Sequence, residues 1–208
     1  MKHELDIEKW DRKEQFRFFR QFEEPFFGVV VNIDCTQAYK TAKEKQVSFF
    51  LYYLHKSLAA ANAIENFRFR LEGEKIMVYE QVHAAPTIFR QNNTFGFGHI
   101  FFREDFGAFY TEACKETDRV KASASLMPLV TGDDVIHFSA IPWIDFTSIS
   151  HARCFSFNDS CPKISFGKIT GDDGKKSMPV SVHVHHALAD GYHVGQFLEL
   201  FQKLMNEV

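Results

Sequence analysis

The chain has 208 residues, of which 45% are hydrophobic, and a net charge of −3 at neutral pH; this is enough for one domain with a substantial core. The nearly balanced charge gives no general electrostatic reason to expect nucleic acid or an anionic membrane as a partner. The first residues lack the apolar core of a signal peptide, and no apolar run reaches membrane-spanning length. We therefore expect a cytoplasmic protein.

Hydrophobic periodicity predicts a single mixed α/β domain. Helical spacing of apolar residues indicates helices at residues 12–21, 36–45, from 48 onward, at about 104–121 and from 194 towards the C-terminus. Strands are predicted at residues 27–33, 67–71, 75–79, 86–90, 94–100, 135–141, 163–170 and 175–185, with hairpin turns at 72–74 and 171–174. The fold class that fits is an α/β two-layer sandwich, in which helices cover one face of a mixed sheet, in one domain over residues 1–208.

The segment that carries chemistry is HHALADG at residues 185–191, between a predicted strand and the C-terminal helix. An imidazole with an ordinary pKa near 6.5 can take a proton from a hydroxyl or a thiol, so His186 is a candidate general base. Asp190 either orients that imidazole or is a structural anion paired elsewhere. Taken alone, this spacing favours a simpler interpretation, in which His186 is a core histidine and Asp190 a helix N-cap.

A longer sequence match favours the general-base interpretation of His186 over the core-histidine interpretation. Residues 184–193, VHHALADGYH, resemble the active-site signature of chloramphenicol acetyltransferases. The shorter HHxxxDG part is also similar to dihydrolipoyl acyltransferase cores and to peptide-synthetase condensation domains. One position departs from the acetyltransferase signature, which usually has glutamine where this chain has His183. Similar segments follow in the same order at residues 10–20, 91–95, 139–148 and 165–168, so the resemblance covers well over half the chain.

The resemblance implies roles for the matched residues of the reaction centre. It makes His186 the general base and Ser148 the hydrogen-bond donor to the oxyanion. It also pairs Arg20 with Asp190, which would hold the catalytic turn, and it gives Ser165 a supporting role through an ordered water. Without the resemblance, Ser148 could equally cap a turn.

The resemblance also implies the binding residues. Lys168 would approach a phosphate of coenzyme A, although an exposed lysine at a strand end is more often a solvated charge. The acceptor pocket would be formed by Phe27, Thr94, Phe97 and Phe157, each of which could instead belong to the core. His183 and His185 share one face of the predicted strand but have no nearby third ligand, so we expect no metal site. The four cysteines show no CxxC spacing and are interpreted as reduced thiols.

The function implied by the resemblance is O-acetylation of the primary hydroxyl of chloramphenicol, an antibiotic-resistance activity. Acetyl-CoA would be a co-substrate and no cofactor would be tightly bound. Because related enzymes of twice this length place the site between two lobes, the resemblance implies a homotrimer with sites at the subunit boundaries. The alternatives are an acyltransferase for another small hydroxyl or thiol acceptor, and a non-catalytic relative that binds an acyl-CoA or another small molecule.

Overall fold

A mixed β-sheet forms the centre of the fold. The computed structural model describes residues 1–127, 129–130, 132–156, 159–172 and 174–207. The strands of the sheet lie in the order β2 (Phe26–Asp34), β10 (Lys176–His185), β8 (Lys163–Phe166), β7 (Val135–Ala140), β5 (His83–Phe89) and β6 (Phe95–Phe97), and β9 (Thr170–Gly171) pairs with β10. β8, β7 and β5 are parallel, whereas β10 is antiparallel to both of its long neighbours.

Four helices cover one face of this sheet. They are α2 (Thr36–Glu44), α3 (Phe49–Ala63), α4 (Phe106–Ala122) and α5 (Gly191–Asn206). Alternate residues of the strands, such as Val180, Val182 and Val184, join the helices in one core, which leaves the intervening residues on the opposite face. This arrangement confirms the predicted two-layer α/β sandwich. Among the described residues, no helix is both long and apolar enough to cross a bilayer.

A second, smaller sheet connects the N-terminal segment to the HHALADG motif. It consists of β1 (Lys2–Glu4), β4 (Lys75–Tyr79) and β3 (Phe69–Glu72), and α1 (Lys13–Phe19) packs beside it. Phe16 of α1 is buried in a cluster that also contains Phe69, Ala187 and Leu188. The burial of these side chains therefore places the N-terminal segment against the motif.

Two predicted strands are shorter than expected. The strand predicted at residues 94–100 is regular only over β6, but the Gly98 and Ile100 amides continue its antiparallel register with β5 by bonding the carbonyls of Pro86 and Ala84. The strand predicted at 163–170 breaks after Phe166, and the Lys168 amide then donates to the Ile144 carbonyl at 2.8 Å. A hydrogen bond to a distant segment thus ended the expected strand only after Phe166. Both predicted hairpin pairings are confirmed, between β3 and β4 and between β9 and β10.

Candidate active site

His186 lies at the turn between β10 and α5. Its amide donates to the Pro25 carbonyl at 2.8 Å, which continues the pairing of β10 with β2 by one residue. The Leu188 and Ala189 amides then bond the His185 carbonyl and close a tight turn. The motif thus leaves the sheet with its backbone hydrogen-bonded on both sides of His186, which limits the positions that the imidazole can take.

Two phenyl rings fix the plane of the His186 imidazole. The Phe19 ring is stacked on it, with the ring centroids 3.7 Å apart and the planes inclined by 6°. The Phe27 ring lies 4.5 Å away at 44°. Nδ1 of His186 is buried and has no hydrogen-bond partner among the described residues. Because the side chain is only partly buried, the imidazole is not sealed inside the fold.

Arg12, and not Arg20, pairs with Asp190. One nitrogen of the Arg12 guanidinium contacts the Asp190 carboxylate, and the other donates to the His186 carbonyl at 3.2 Å. Arg20 lies beyond the end of α1 and forms an ion pair with Glu74 at 2.6 Å. The predicted pairing of Arg20 was therefore wrong. Both arginines belong to the segment that resembles the family, and only the packing of α1 determines which of them reaches the motif.

Asp190 also caps helix α5. Its carboxylate accepts a hydrogen bond from the Tyr192 amide at 3.0 Å and contacts the His193 imidazole at 2.8 Å. Burial acts to raise the pKa of Asp190, but the charges of Arg12 and His193 and the amide hydrogen bond outweigh burial and lower the pKa. The carboxylate is thus held as an anion that fixes both ends of the turn. Asp190 is therefore a helix N-cap and an anion paired with Arg12, and its hydrogen bonds and ion pairs do not include the His186 imidazole.

His185, next to the candidate base, has a different environment. It is 5% exposed, and its Nδ1 accepts a hydrogen bond from the Ala187 amide at 3.2 Å. Burial lowers the pKa of His185 to about 4, assisted by the charge of Arg153. The first motif histidine is therefore a neutral structural residue at physiological pH, and His186 is the one at the accessible surface of the turn.

Ser148 lies on a segment without regular secondary structure, residues 145–154, and its side chain is exposed. Ser165 lies on β8, fully buried, and its hydroxyl has no partner among the described residues. An unpaired buried hydroxyl is costly in a dry interior and suits a site that takes up water. Lys168 follows β8 and is exposed.

Phe27, Thr94 and Phe97, the expected acceptor-pocket residues that the structure describes, do not form one cluster in the single chain. Phe97 lines a cavity of about 600 Å³ on the sheet face away from the helices. Phe27 packs on His186, and Thr94 is exposed in the turn before β6, where its hydroxyl bonds Asn92 at 2.7 Å. Phe157 lies outside the described residues. Of the three that the structure describes, only Phe97 is thus associated with a cavity large enough for a small molecule.

Polar groups that the sequence analysis did not single out line the same cavity. Lys163 contacts the Asp159 carboxylate and donates to the Cys161 carbonyl at 3.1 Å. The ligand atoms of His137, Asp159 and Cys161 lie within 4.8 Å of one another. A cation there would face the Lys163 ammonium, and the Asp159 carboxylate already accepts from Lys163 and from the Cys161 amide. The cluster is therefore better described as an ion pair in the cavity wall than as a metal site.

Comparison with known proteins agrees with the geometry. The family model described as chloramphenicol acetyltransferase matches residues 2–202. A chloramphenicol acetyltransferase of Bacillus pumilus is 29% identical over 200 residues, which cover 95% of this chain and 91% of the relative. A solved chloramphenicol acetyltransferase structure superimposes with a TM-score of 0.89 and 31% identity, covering 99% of this chain and all of the other.

More distant structures share the fold alone. The truncated catalytic core of a 2-oxoacid dehydrogenase multienzyme complex from Thermoplasma acidophilum superimposes with a TM-score of 0.70 at 14% identity, over 93% of this chain and 92% of that one. The family match over residues 2–202 decides between these groups. The chain belongs to the chloramphenicol acetyltransferase family.

Proposed function

We propose that the chain is an acetyl-CoA-dependent O-acetyltransferase and that its acceptor is the primary hydroxyl of chloramphenicol. The observation that carries the proposal is the position of His186, whose backbone is held by Arg12 and Pro25 and whose ring is held by Phe19. A base in a fixed position can act on a bound hydroxyl without the entropic cost of finding it. Membership of the family supports the choice of both substrates.

His186 removes the proton of the acceptor hydroxyl while the oxygen attacks the thioester carbonyl. The attack forms a C–O bond and a tetrahedral oxyanion, without an acyl-enzyme. When the oxyanion collapses, the C–S bond breaks and the coenzyme A thiolate takes the proton from the His186 imidazolium. The products are the acetyl ester and free coenzyme A, and the imidazole is returned to its neutral form. General-base assistance of this kind contributes about 10²- to 10⁴-fold in rate.

Ser148 donates a hydrogen bond to the oxyanion, and Ser165 supports it through an ordered water. The loss of one such donor costs about 10²- to 10³-fold in kcat. Asp190 remains ionised and does not carry a proton, because its carboxylate contacts the Arg12 guanidinium, the backbone amide of Tyr192 at the helix N-terminus and the His193 imidazole. Its part in the reaction is to hold the turn.

We propose a homotrimer in which each site takes His186 from one chain and Ser148 from the next. Two features support a shared site. The cavity that contains Phe97 is not lined by His186 or by Ser148. Large apolar side chains are exposed immediately before the segment that carries Ser148, with Trp143 60% and Ile144 56% accessible. Apolar surface of this kind suits a subunit contact.

The substrates approach this boundary from two sides. The cavity of about 600 Å³ is in the size range of small-molecule sites and takes the acceptor. Lys168 is exposed at the end of β8, where its ammonium can approach a phosphate of coenzyme A. All four cysteines are free thiols, which suits the reducing cytoplasm in which we place the activity.

The test is free-thiol release from acetyl-CoA with chloramphenicol, compared with a panel of other hydroxylated and thiol acceptors. Release with chloramphenicol at a low apparent KM supports the proposal, and we expect His186→Ala to lower kcat by at least about 100-fold with the oligomer intact. Release only with another acceptor would redirect the substrate assignment. If free-thiol release from acetyl-CoA with every acceptor is no faster than uncatalysed hydrolysis in water, a non-catalytic binding protein would be favoured instead. A fully active monomer in light scattering would rule out the shared site.

A further inference from the structure

The segment that carries Ser148 lies on the surface in a regular orientation, although it has no helix or strand of its own. Side-chain burial alternates along residues 148–154: Ile149, His151 and Arg153 are half-buried, whereas the residues between them are exposed. An extended chain lying on a surface shows this pattern, because its successive side chains point to opposite sides. Ser148 therefore faces outwards only as long as the inward-facing side chains keep their places.

Arg153 is the last of these inward-facing side chains, and its guanidinium makes two directed contacts. Its Nη1 donates to the Glu24 carboxylate at 2.8 Å, and the guanidinium carbon lies 3.8 Å from the centre of the Phe26 ring. Only 11% of the Arg153 side chain is exposed. A planar guanidinium suits both a directed hydrogen bond and contact with a ring face. The two contacts together fix the position and the direction of the Arg153 side chain.

Both partners of Arg153 belong to the start of β2, which is a fixed part of the fold. Strand β2 pairs with β10 over its whole length, and Phe26 is opposite His185 in that register. The Glu24 carboxylate also accepts the Phe26 amide at 3.1 Å, which ties Glu24 to the end of the strand. Arg153 therefore connects a segment without regular structure to the paired end of a strand.

The other contacts of the segment specify its orientation less closely. Near its N-terminal end Phe146 is buried, and a Cβ on Gly167 would lie 2.9 Å from the Phe146 ring. In the middle, the His151 ring meets the His183 ring edge to face, with the centroids 4.7 Å apart. Ring contacts constrain direction less than a charge-assisted hydrogen bond does. Within the part of the chain that the structure describes, Arg153 provides the one ion pair between this segment and another element.

We propose that Arg153 is a positioning residue for Ser148: its contacts with Glu24 and Phe26 fix the orientation of the segment, so that the serine hydroxyl points to where the oxyanion develops. This inference rests on the proposed function. Loss of the Arg153 side chain allows the segment to rotate, and a rotation that brings the buried set of alternate side chains outwards turns the other set, with Ser148, inwards. A displaced donor loses much of its effect, since a shift of about 1 Å near a reacting centre can cost about 100-fold in rate.

The experiment compares Arg153→Ala with Arg153→Lys, using saturating acetyl-CoA and whichever acceptor the wild-type enzyme acetylates. We expect Arg153→Ala to lower kcat by about 10- to 100-fold, with the KM for acetyl-CoA within about threefold. Lysine keeps a charge for Glu24 but not the planar group, so Arg153→Lys should recover part of the loss. Arg103→Ala is the matched control, because Arg103 likewise combines a carboxylate, that of Glu112, with a phenyl ring, that of Phe101. Its kcat should not change.

A double-mutant cycle separates positioning from a general loss of structure. If Arg153 acts through Ser148, adding Arg153→Ala to Ser148→Ala should lower kcat by no more than about threefold further, whereas independent effects would multiply. Full multiplication, or an unchanged kcat in Arg153→Ala while Ser148→Ala loses activity, would overturn the inference and leave the proposed function standing. An unchanged kcat in Ser148→Ala would overturn the oxyanion role, and the inference with it.

A second variant covers the case in which Arg153→Ala does not fold. Glu24→Ala removes the acceptor of the Arg153 hydrogen bond, and the Glu24 side chain is 48% exposed. Such a partly exposed pair contributes little to stability, so Tm should stay within about 4 °C of the wild-type value. We expect kcat to decrease in the same direction as in Arg153→Ala, but by less, because the Phe26 ring remains in place. A normal kcat in Glu24→Ala would show that the hydrogen bond is not needed for positioning, and would overturn the inference.

Discussion

The pairing of Arg12 with the HHALADG turn can be tested by removing the guanidinium. Arg12→Ala deletes the contact with Asp190 and the hydrogen bond to the His186 carbonyl, while Arg20→Ala deletes an ion pair with Glu74. Each variant also removes a cation–π contact, with Trp10 for Arg12 and with Phe16 for Arg20. The two variants are matched, because they remove the same side chain from the same N-terminal segment. We expect only Arg12→Ala to affect the turn that holds the base.

The expected sizes follow from burial. The Arg12 side chain is 13% exposed and that of Asp190 is 34% exposed, whereas Glu74 is 85% exposed. Hydrogen bonds to charged groups contribute about 1.5–3 kcal/mol, and the partial exposure of Asp190 places the loss near the lower end, at about 1.5–2 kcal/mol. At about 2–4 °C per kcal/mol for a chain of this length, Tm should fall by about 3–8 °C. An exposed pair such as that of Arg20 contributes only about 0–1 kcal/mol.

The assay combines thermal unfolding with steady-state kinetics of both variants. Arg12→Ala should also lower kcat, by about 100-fold if the imidazole moves by about 1 Å. Arg12→Lys keeps the charge but has no second nitrogen for the His186 carbonyl, so it should recover stability better than activity. Equal behaviour of Arg12→Ala and Arg20→Ala would refute the reasoning, as would a normal kcat in a destabilised Arg12→Ala.

Three further predictions concern charge, reactivity and space. Because its folded-state pKa is lowered, Asp190 should stabilise the protein above its unfolded pKa of about 3.9 and lose that effect as pH falls. In Asp190→Asn, Tm should therefore decrease less steeply on acidification than in the wild type, and an unchanged dependence of Tm on pH would contradict this. Burial raises the pKa of Cys35 to about 11, so iodoacetamide should alkylate the exposed Cys154 before Cys35, as followed by mass spectrometry. Equal alkylation rates of the two thiols would contradict the burial of Cys35. Gly28→Ala should lower Tm by displacing His183, and a wild-type Tm would exclude the close contact.

The N-terminal segment illustrates what a sequence leaves open. Periodicity predicted a helix at residues 12–21, and the structure contains Lys13–Phe19. That pattern is local and needs no knowledge of neighbours. The choice between Arg12 and Arg20 is not local, because Arg12 and Asp190 are 178 residues apart. Phe19 stacks on His186 because of how α1 packs, which the helical pattern alone does not specify.

The fold class, the types of most elements and the candidate base His186 could be predicted from local patterns, because periodicity and a ten-residue signature lie within single segments. Long-range packing settled which arginine holds the turn, why the strand after Lys163 ends at Phe166, and what holds the Ile144 carbonyl next to the segment that carries Ser148. Each of those depends on a hydrogen bond or a ring contact between residues far apart in the chain. Such partners are chosen by packing and by the need to pair every buried polar group, and no local pattern encodes that choice.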